Sequence, residues 1–219
     1  LFYVNYSLHD NTTHRWIYFE YEQSTHIVEI AEDHMPPMVF VLSPEDGLYS
    51  GRNVSLVFTL NESAFWTGYS LDGARNVTLS INTTLTNLLD GMHSVIVYAN
   101  DTVGNMGTSG PVLFTVDATP PNITAVWQSP EIGSVSFRDV VSVNASVTDS
   151  VSGVEKVTLI YAYTNSSGTW NVIIEMANVQ GNIWKATIPT FSLGTYVTYT
   201  IMAEDNVGHT ATTMVGSQY

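Results

Sequence analysis

Three kinds of side chain in this sequence could do chemistry. Histidines and aspartates could bind a metal or move a proton, tryptophans could stack on a sugar, and asparagines in Asn-x-Ser/Thr frames could carry one. The first kind offers little. No His-Glu-x-x-His, Gly-x-Ser-x-Gly, phosphate-loop or Gly-x-Gly-x-x-Gly frame occurs, and these are the spacings that place ligands or a nucleophile on one element. His9, His14, His26 and His34 crowd the N-terminal stretch. None is paired two or four residues from another on one element, as a zinc site requires. Asp101, Asp117, Asp149 and Asp205 stand at turns or in a linker. They read as isolated caps of backbone N–H groups. Calcium, which needs six to eight converging oxygens, is the weaker reading. The expectation is a non-enzyme with no cofactor and no metal.

The asparagines say more. Ten sequons occur, at Asn5, Asn11, Asn53, Asn61, Asn76, Asn82, Asn100, Asn122, Asn144 and Asn165. Several fall where an alternating strand pattern leaves an outward position, as Asn5 does between Val4 and Tyr6. Such a pattern predicts N-glycosylation and therefore export. Of the aromatic residues, Trp170 and Trp184 fit core slots, whereas Trp66 beside Phe65 is the ring placed to meet a ligand. His93, in Asp-Gly-Met-His, is expected to hydrogen-bond the corner that enters its strand.

Composition agrees. The 219 residues carry 6 Lys plus Arg against 20 Asp plus Glu, a net charge of −14. So few cations make no phosphate-tracking stripe, which makes nucleic acid and anionic membrane surfaces poor partners. Cysteine is absent, so disulfides and thiolate sites are excluded. Hydrophobic residues make up 44% and charged residues 12%, the latter about half of the ~25% common in soluble domains. Ser, Thr and Asn keep the surface polar instead. No apolar run reaches membrane-spanning length, so any signal or anchor is expected outside this segment.

The elements that carry these residues read as strands almost throughout. Val54–Leu60, Ser94–Tyr98, Val157–Tyr161 and Tyr196–Ile201 are short, β-branched and aromatic, with turn clusters such as Leu71-Asp-Gly73 and Ser166-Ser-Gly168 between runs. This is the pattern of antiparallel sandwiches. The chain also repeats itself. Pro36-Pro37 through Ser43-Pro44-Glu45 matches Pro120-Pro121 through Ser129-Pro130-Glu131, and Asp101-Thr-Val-Gly104-Asn105 matches Asp205-Asn-Val-Gly208-His209. Two sandwich domains follow, residues 36–117 and 118–219. Residues 1–35 match the end of a copy (His14 to Phe19 against His93 to Tyr98) and read as three closing strands whose opening strands are missing.

Tyr69-Ser-Leu-Asp-Gly73, Asn76-Val-Thr-Leu79, Leu88-Leu-Asp-Gly-Met-His93 and Val97-Tyr-Ala-Asn-Asp101 resemble the immunoglobulin-like domains found in tandem on archaeal and some bacterial surface proteins. Asp149-Ser-Val-Ser-Gly-Val154, Gly168-Thr-Trp170 and Asp205-Asn-Val-Gly208 look like a related fibronectin-III or immunoglobulin-type module. The resemblance implies an all-β fold of tandem sandwiches. It also implies an extracellular role in envelope layers, filaments or adhesins, or as a spacer in a secreted hydrolase. Unlike vertebrate immunoglobulin domains, this chain has no disulfide, so packing alone must hold the sheets.

The resulting expectation is a glycosylated structural subunit of an extracellular filament or envelope layer. Phe2, Val4, Tyr6, Leu8, Ile17, Phe19 and Tyr21 would form a donor segment that completes a neighbouring copy head-to-tail. The rival is docking of residues 1–35 onto domain 36–117 of the same chain, across Pro36-Pro37. Its partners would be copies of itself and, less directly, other envelope proteins or glycans. An adhesin or carbohydrate-binding module is the first alternative and a spacer of a secreted hydrolase the second.

Overall fold

In the computed structural model, residues 34–214 are described with their side chains. Backbone is also described for residues 6–10, 15–21, 24–30 and 215–218. Among the described residues every regular element is a strand. The first three are β1 (Tyr6–Asp10), β2 (Arg15–Tyr21) and β3 (Ser24–Ile30), which pair antiparallel as a three-stranded sheet. Their register sets Tyr6 opposite Phe19, Leu8 opposite Ile17, and Ile17 opposite Val28. The alternating apolar residues of the three strands are thus in step.

A first group of strands follows: β4 (Val39–Ser43), β5 (Leu48–Tyr49), β6 (Val54–Leu60), β7 (Trp66–Leu71), β8 (Val77–Leu79), β9 (Thr83–Leu85), β10 (Gly91–Asn100), β11 (Met106–Thr108) and β12 (Val112–Val116). They form one sheet in the order β4-β6-β9 and another in the order β5-β12-β10-β7-β8, with β11 also on β10. β5 runs parallel to β12; the other described pairings in this group are antiparallel. The second group is β13 (Asn122–Ser129), β14 (Val141–Thr148), β15 (Val154–Asn165), β16 (Gly168–Glu175), β17 (Ala177–Gln180), β18 (Ile183–Ile188), β19 (Tyr196–Asp205) and β20 (Thr210–Gln218). Its sheets run β13-β14-β18-β17 and β16-β15-β19-β20. Each group has the two-sheet strand arrangement of an immunoglobulin-like sandwich. The fold is a tandem of all-β sandwiches preceded by a partial β unit.

Alternation explains the strands. Along β10 and β19 every second residue is buried, including Val95, Val97 and Ala99 in one and Val197, Tyr199, Ile201 and Ala203 in the other. In the second group they join a core with Val141, Val143, Leu159, Met176 and Ile188. Burial of each such side chain is worth roughly 1.5–3 kcal/mol, and this packing does the work that a disulfide does elsewhere. The repeat is visible in the backbone too, because Ser43–Pro44 and Ser129–Pro130 are both cis.

By Cα proximity the chain divides into two compact units. One contains Leu1–Val41, Phe58–Ile81 and Ile96–Gly110, and the other Leu42–Val57, Asn82–Val95 and Pro111–Tyr219. The division passes through β6 and β10, so it follows a different line from the one drawn by the sequence repeat.

Candidate functional site

The residues singled out for chemistry sort by environment. Asn53, Asn61, Asn76, Asn82 and Asn122 are exposed, while Asn100, Asn144 and Asn165 are half-buried. Asn144 sits on β14, where its neighbours Val143 and Ala145 face the core. Asn5 and Asn11 lie outside the described residues, as do Phe2 and Val4. Tyr6, Leu8, Ile17, Phe19 and Tyr21 are placed as strand backbone only. His9 and His26 fall on β1 and β3, and His14 is outside the described residues.

The aromatic residues depart from expectation in one place. Trp184 packs against the core of the second group, but Trp170 is 39% exposed and stacks on Tyr163, with ring centroids 5.2 Å apart. Tyr163 packs against that core, and the Tyr163–Trp170 pair sits near the end of the β15–β16 hairpin. Phe65 is the open ring of its pair, 76% exposed. Trp66 donates from Nε1 to Thr78 Oγ1 at 3.1 Å and lies against Gly68, where a Cβ would stand 2.4 Å from its ring. Together they line a cleft of about 440 Å³. His93 behaves as expected: Nε2 lies 2.7 Å from the Leu89 carbonyl oxygen, and the ring stacks on Phe114.

The aspartates form the most structured site. Each caps a turn. Asp101 Oδ1 accepts from the N–H groups of Val103, Gly104 and Asn105, and its Oδ2 accepts from Asn105 Nδ2 at 2.7 Å. Asp149 Oδ1 accepts from Val151 and Gly153. Asp205 Oδ1 accepts from Val207 and His209. To this extent the capping role read from Asp-x-x-Gly is what the structure contains.

The acids are not all isolated, however. Asp117, directly after β12, and Asp205, at the end of β19, are both fully buried. With His209 they bring one ligand-type atom each within 4.8 Å of one another. Hydrogen bonds already occupy these groups. Asp117 accepts from Thr119 N at Oδ1 and from Ser152 N at Oδ2, the latter at 3.0 Å. His209 Nδ1 lies 3.1 Å from Asp205 Oδ2, and its Nε2 lies 3.0 Å from the Ser50 carbonyl oxygen. Asn206 ties the same turn to Ser152 and Gly153 through its Nδ2. Four chain segments therefore meet: the stretch after β5, the linker after β12, and the β14–β15 and β19–β20 turns. All four belong to the second compact unit.

Two electrostatic consequences follow. Both partners of the His209 ring are acceptors, so a doubly protonated ring satisfies both and a neutral ring satisfies one. Burial pushes the Asp117 carboxyl up, but contacts from Ser152 and Thr119 and the nearby His209 outweigh it and hold the group below the ordinary carboxylate value. Asp101 is likewise pushed up by burial and held lower by Asn105 and the turn N–H groups. His209 and Ser152 are the members of this site that sequence reasoning missed. The available signal was His209 standing where the first copy of the turn has Asn105.

The fold therefore defines a protein of tandem immunoglobulin-like and fibronectin-III-like sandwiches. No family model matches the chain. Halomucin of Haloquadratum walsbyi is 36% identical over 109 residues, which covers 45% of this chain and 1% of halomucin. Among solved structures, titin domains A168–A170 align at 12% identity and a TM-score of 0.43, covering 95% of this chain and 82% of that one. The fibronectin(III)-like modules of Clostridium thermocellum CbhA align at 12% identity and a TM-score of 0.37, covering 83% and 94%. A tetra-tandem repeat from the extending region of a large adhesion protein aligns at 16% identity and 0.36, covering 94% and 56%.

Proposed function

We propose that the chain is a glycosylated structural segment of an extracellular, cell-surface protein. In this reading tandem sandwiches are the material, and the N-terminal strands join one copy to the next head-to-tail. The observation that carries it is the junction. The linker at Asp117 is held by the turns it passes, through Ser152 and beside Asp205 and His209, rather than left as a free tether. Such a link transmits position along a tandem array. The sequons support an external location, since five of the eight described ones are exposed. So does the stretch similar to Halomucin, by its name a mucin.

The assembly step rests on the three-stranded sheet β1-β2-β3, whose described pairings are all within itself. A β unit made only of residues 1–35 is too small to hold a stable core alone, so it gains most from a second sheet. Negative-stain microscopy of the purified full chain tests this reading. Fibres or sheets that disappear when residues 1–24 are deleted support it, and a truncated chain that still polymerises refutes the donor role. A carbohydrate-binding reading has one observation in its favour, the exposed Phe65 ring at the mouth of the Trp66 cleft. Glycan-array binding lost in Phe65→Ala would favour it over the structural one.

A further inference from the structure

The hairpin that joins β15 to β16 has three properties that meet at one residue. Asn165 pairs with Gly168 across a two-residue loop, Ser166-Ser167. Its Oδ1 accepts from Ser167 N at 2.8 Å, an Asx turn. Its Nδ2 has no hydrogen bond among the described residues. Asn165 heads an Asn-Ser-Ser frame, so the atom left free is the one that a glycan would occupy.

The surroundings of that atom are aromatic. Residues two apart on a strand, and those directly opposite them, share a face. Tyr163 and Trp170, which pair across the hairpin, therefore lie on the face of Asn165 and Gly168. Gly168 has no side chain, and the place where its Cβ would stand is 3.3 Å from the outer edge of the Trp170 indole. The inner side of the stack is accounted for, because Tyr163 packs on Phe191 with centroids 4.8 Å apart. Trp170 remains 39% exposed, an apolar surface next to the attachment point.

We propose that Asn165 carries an N-linked glycan whose first sugar lies on the exposed face of Trp170. The inference rests on the glycosylated reading above and adds which sequon is structurally used and what receives the sugar. Sugars present C–H faces that pack on aromatic rings, so the sugar covers surface that the hairpin otherwise leaves wet. Attachment is a group transfer from a polyprenyl-phosphate-linked oligosaccharide, made by a separate transferase. Asn165 Nδ2 bonds to the anomeric carbon, the bond from that carbon to the phosphate oxygen breaks, the lipid phosphate leaves with the electron pair, and one amide proton goes to a base. Gly168 is the residue that keeps the space open; a side chain there would meet the indole.

The test uses the full chain secreted from a host whose transferase reads Asn-x-Ser/Thr. Site-resolved glycopeptide mass spectrometry should find Asn165 occupied. NMR of the glycoprotein should show protons of the first sugar shifted upfield by the indole ring current, a shift absent in Trp170→Leu. Loss of the glycan through Ser167→Ala should lower the folding equilibrium constant roughly three- to tenfold in the wild-type background and by less in Trp170→Leu. If no sequon is occupied, both the glycosylated reading and this site are wrong. If other sequons are filled and Asn165 is bare, only this site is wrong. Occupancy without an upfield shift overturns the platform, and that measurement needs only the wild-type chain should Trp170→Leu fail to fold.

Discussion

The turns after β10 and β19 are built on one plan and end differently. In each, an aspartate Oδ1 accepts from backbone N–H groups two and four residues on. In each, the aspartate N–H is bonded to the carbonyl of the fifth residue, at 3.2 Å from Asn105 and 3.1 Å from His209. The fifth side chain then binds the aspartate Oδ2 in both. Asn105 does so with an amide 2.7 Å away. The His209 ring is longer and has a second nitrogen, which reaches the Ser50 carbonyl oxygen 159 residues away in sequence. A single change of side chain turns a local cap into a junction contact. Copies of one module can thus be joined without new loops, by lengthening the residue that already closes a turn.

The comparison can be broken at several points. The largest effect is expected from Asp205→Ala. The N–H groups of Val207 and His209 lose their acceptor in a fully buried place, and His209 loses its anchor. A loss of about 2–4 kcal/mol in urea unfolding is expected; a loss below about 1 kcal/mol would show that the turn does not need its cap. Asp117→Asn should cost about 1–2 kcal/mol, because an amide has one acceptor oxygen where the carboxylate uses two, for Thr119 and Ser152. An unchanged midpoint would mean that the linker is not held there.

Acid should reveal Asp101 and Asp117, the two aspartates that are held low. A carboxyl whose folded value lies below its unfolded value, 3.8, contributes stability that is present above that value and lost as pH falls through the folded one. The melting temperature should therefore fall as pH drops below about 4. It should fall less steeply in the Asp101→Asn, Asp117→Asn double variant, and identical slopes would count against this account. The smallest effect is expected from His209→Asn, which installs the residue of the first turn in the second. It should keep the Asp205 contact and lose the Ser50 one, at about 0.5–1.5 kcal/mol. A loss as large as that of Asp205→Ala would mean that the ring does more than reach Ser50.

Much of the fold was legible because it is local or periodic. Val54–Leu60 reads as a strand and is β6. The Asp-x-x-Gly turns announce their own hydrogen bonds, since capped N–H groups lie within four residues of the carboxylate. His93 and the Leu89 corner were readable for the same reason. Two readings failed where the answer depends on distant chain. Asp117 and Asp205 looked isolated along the sequence and are neighbours in space. Trp170 looked like a core residue because large aromatics in strands are usually buried. Its exposure depends on what packs over the end of the β15–β16 hairpin, and no local pattern records that.

Residue order by itself determined the all-β class, the repeated modules, the capped turns and the sequon positions. Each depends on side-chain alternation with period two or on contacts within a few residues. Only the tertiary structure decided which turn faces which linker, that His209 reaches Ser50, and that Asn165 stands beside an exposed indole. These depend on where sheets end and how strands register across the fold, set by the summed packing of residues such as Leu159, Val197 and Ile201, far apart in the chain and buried together.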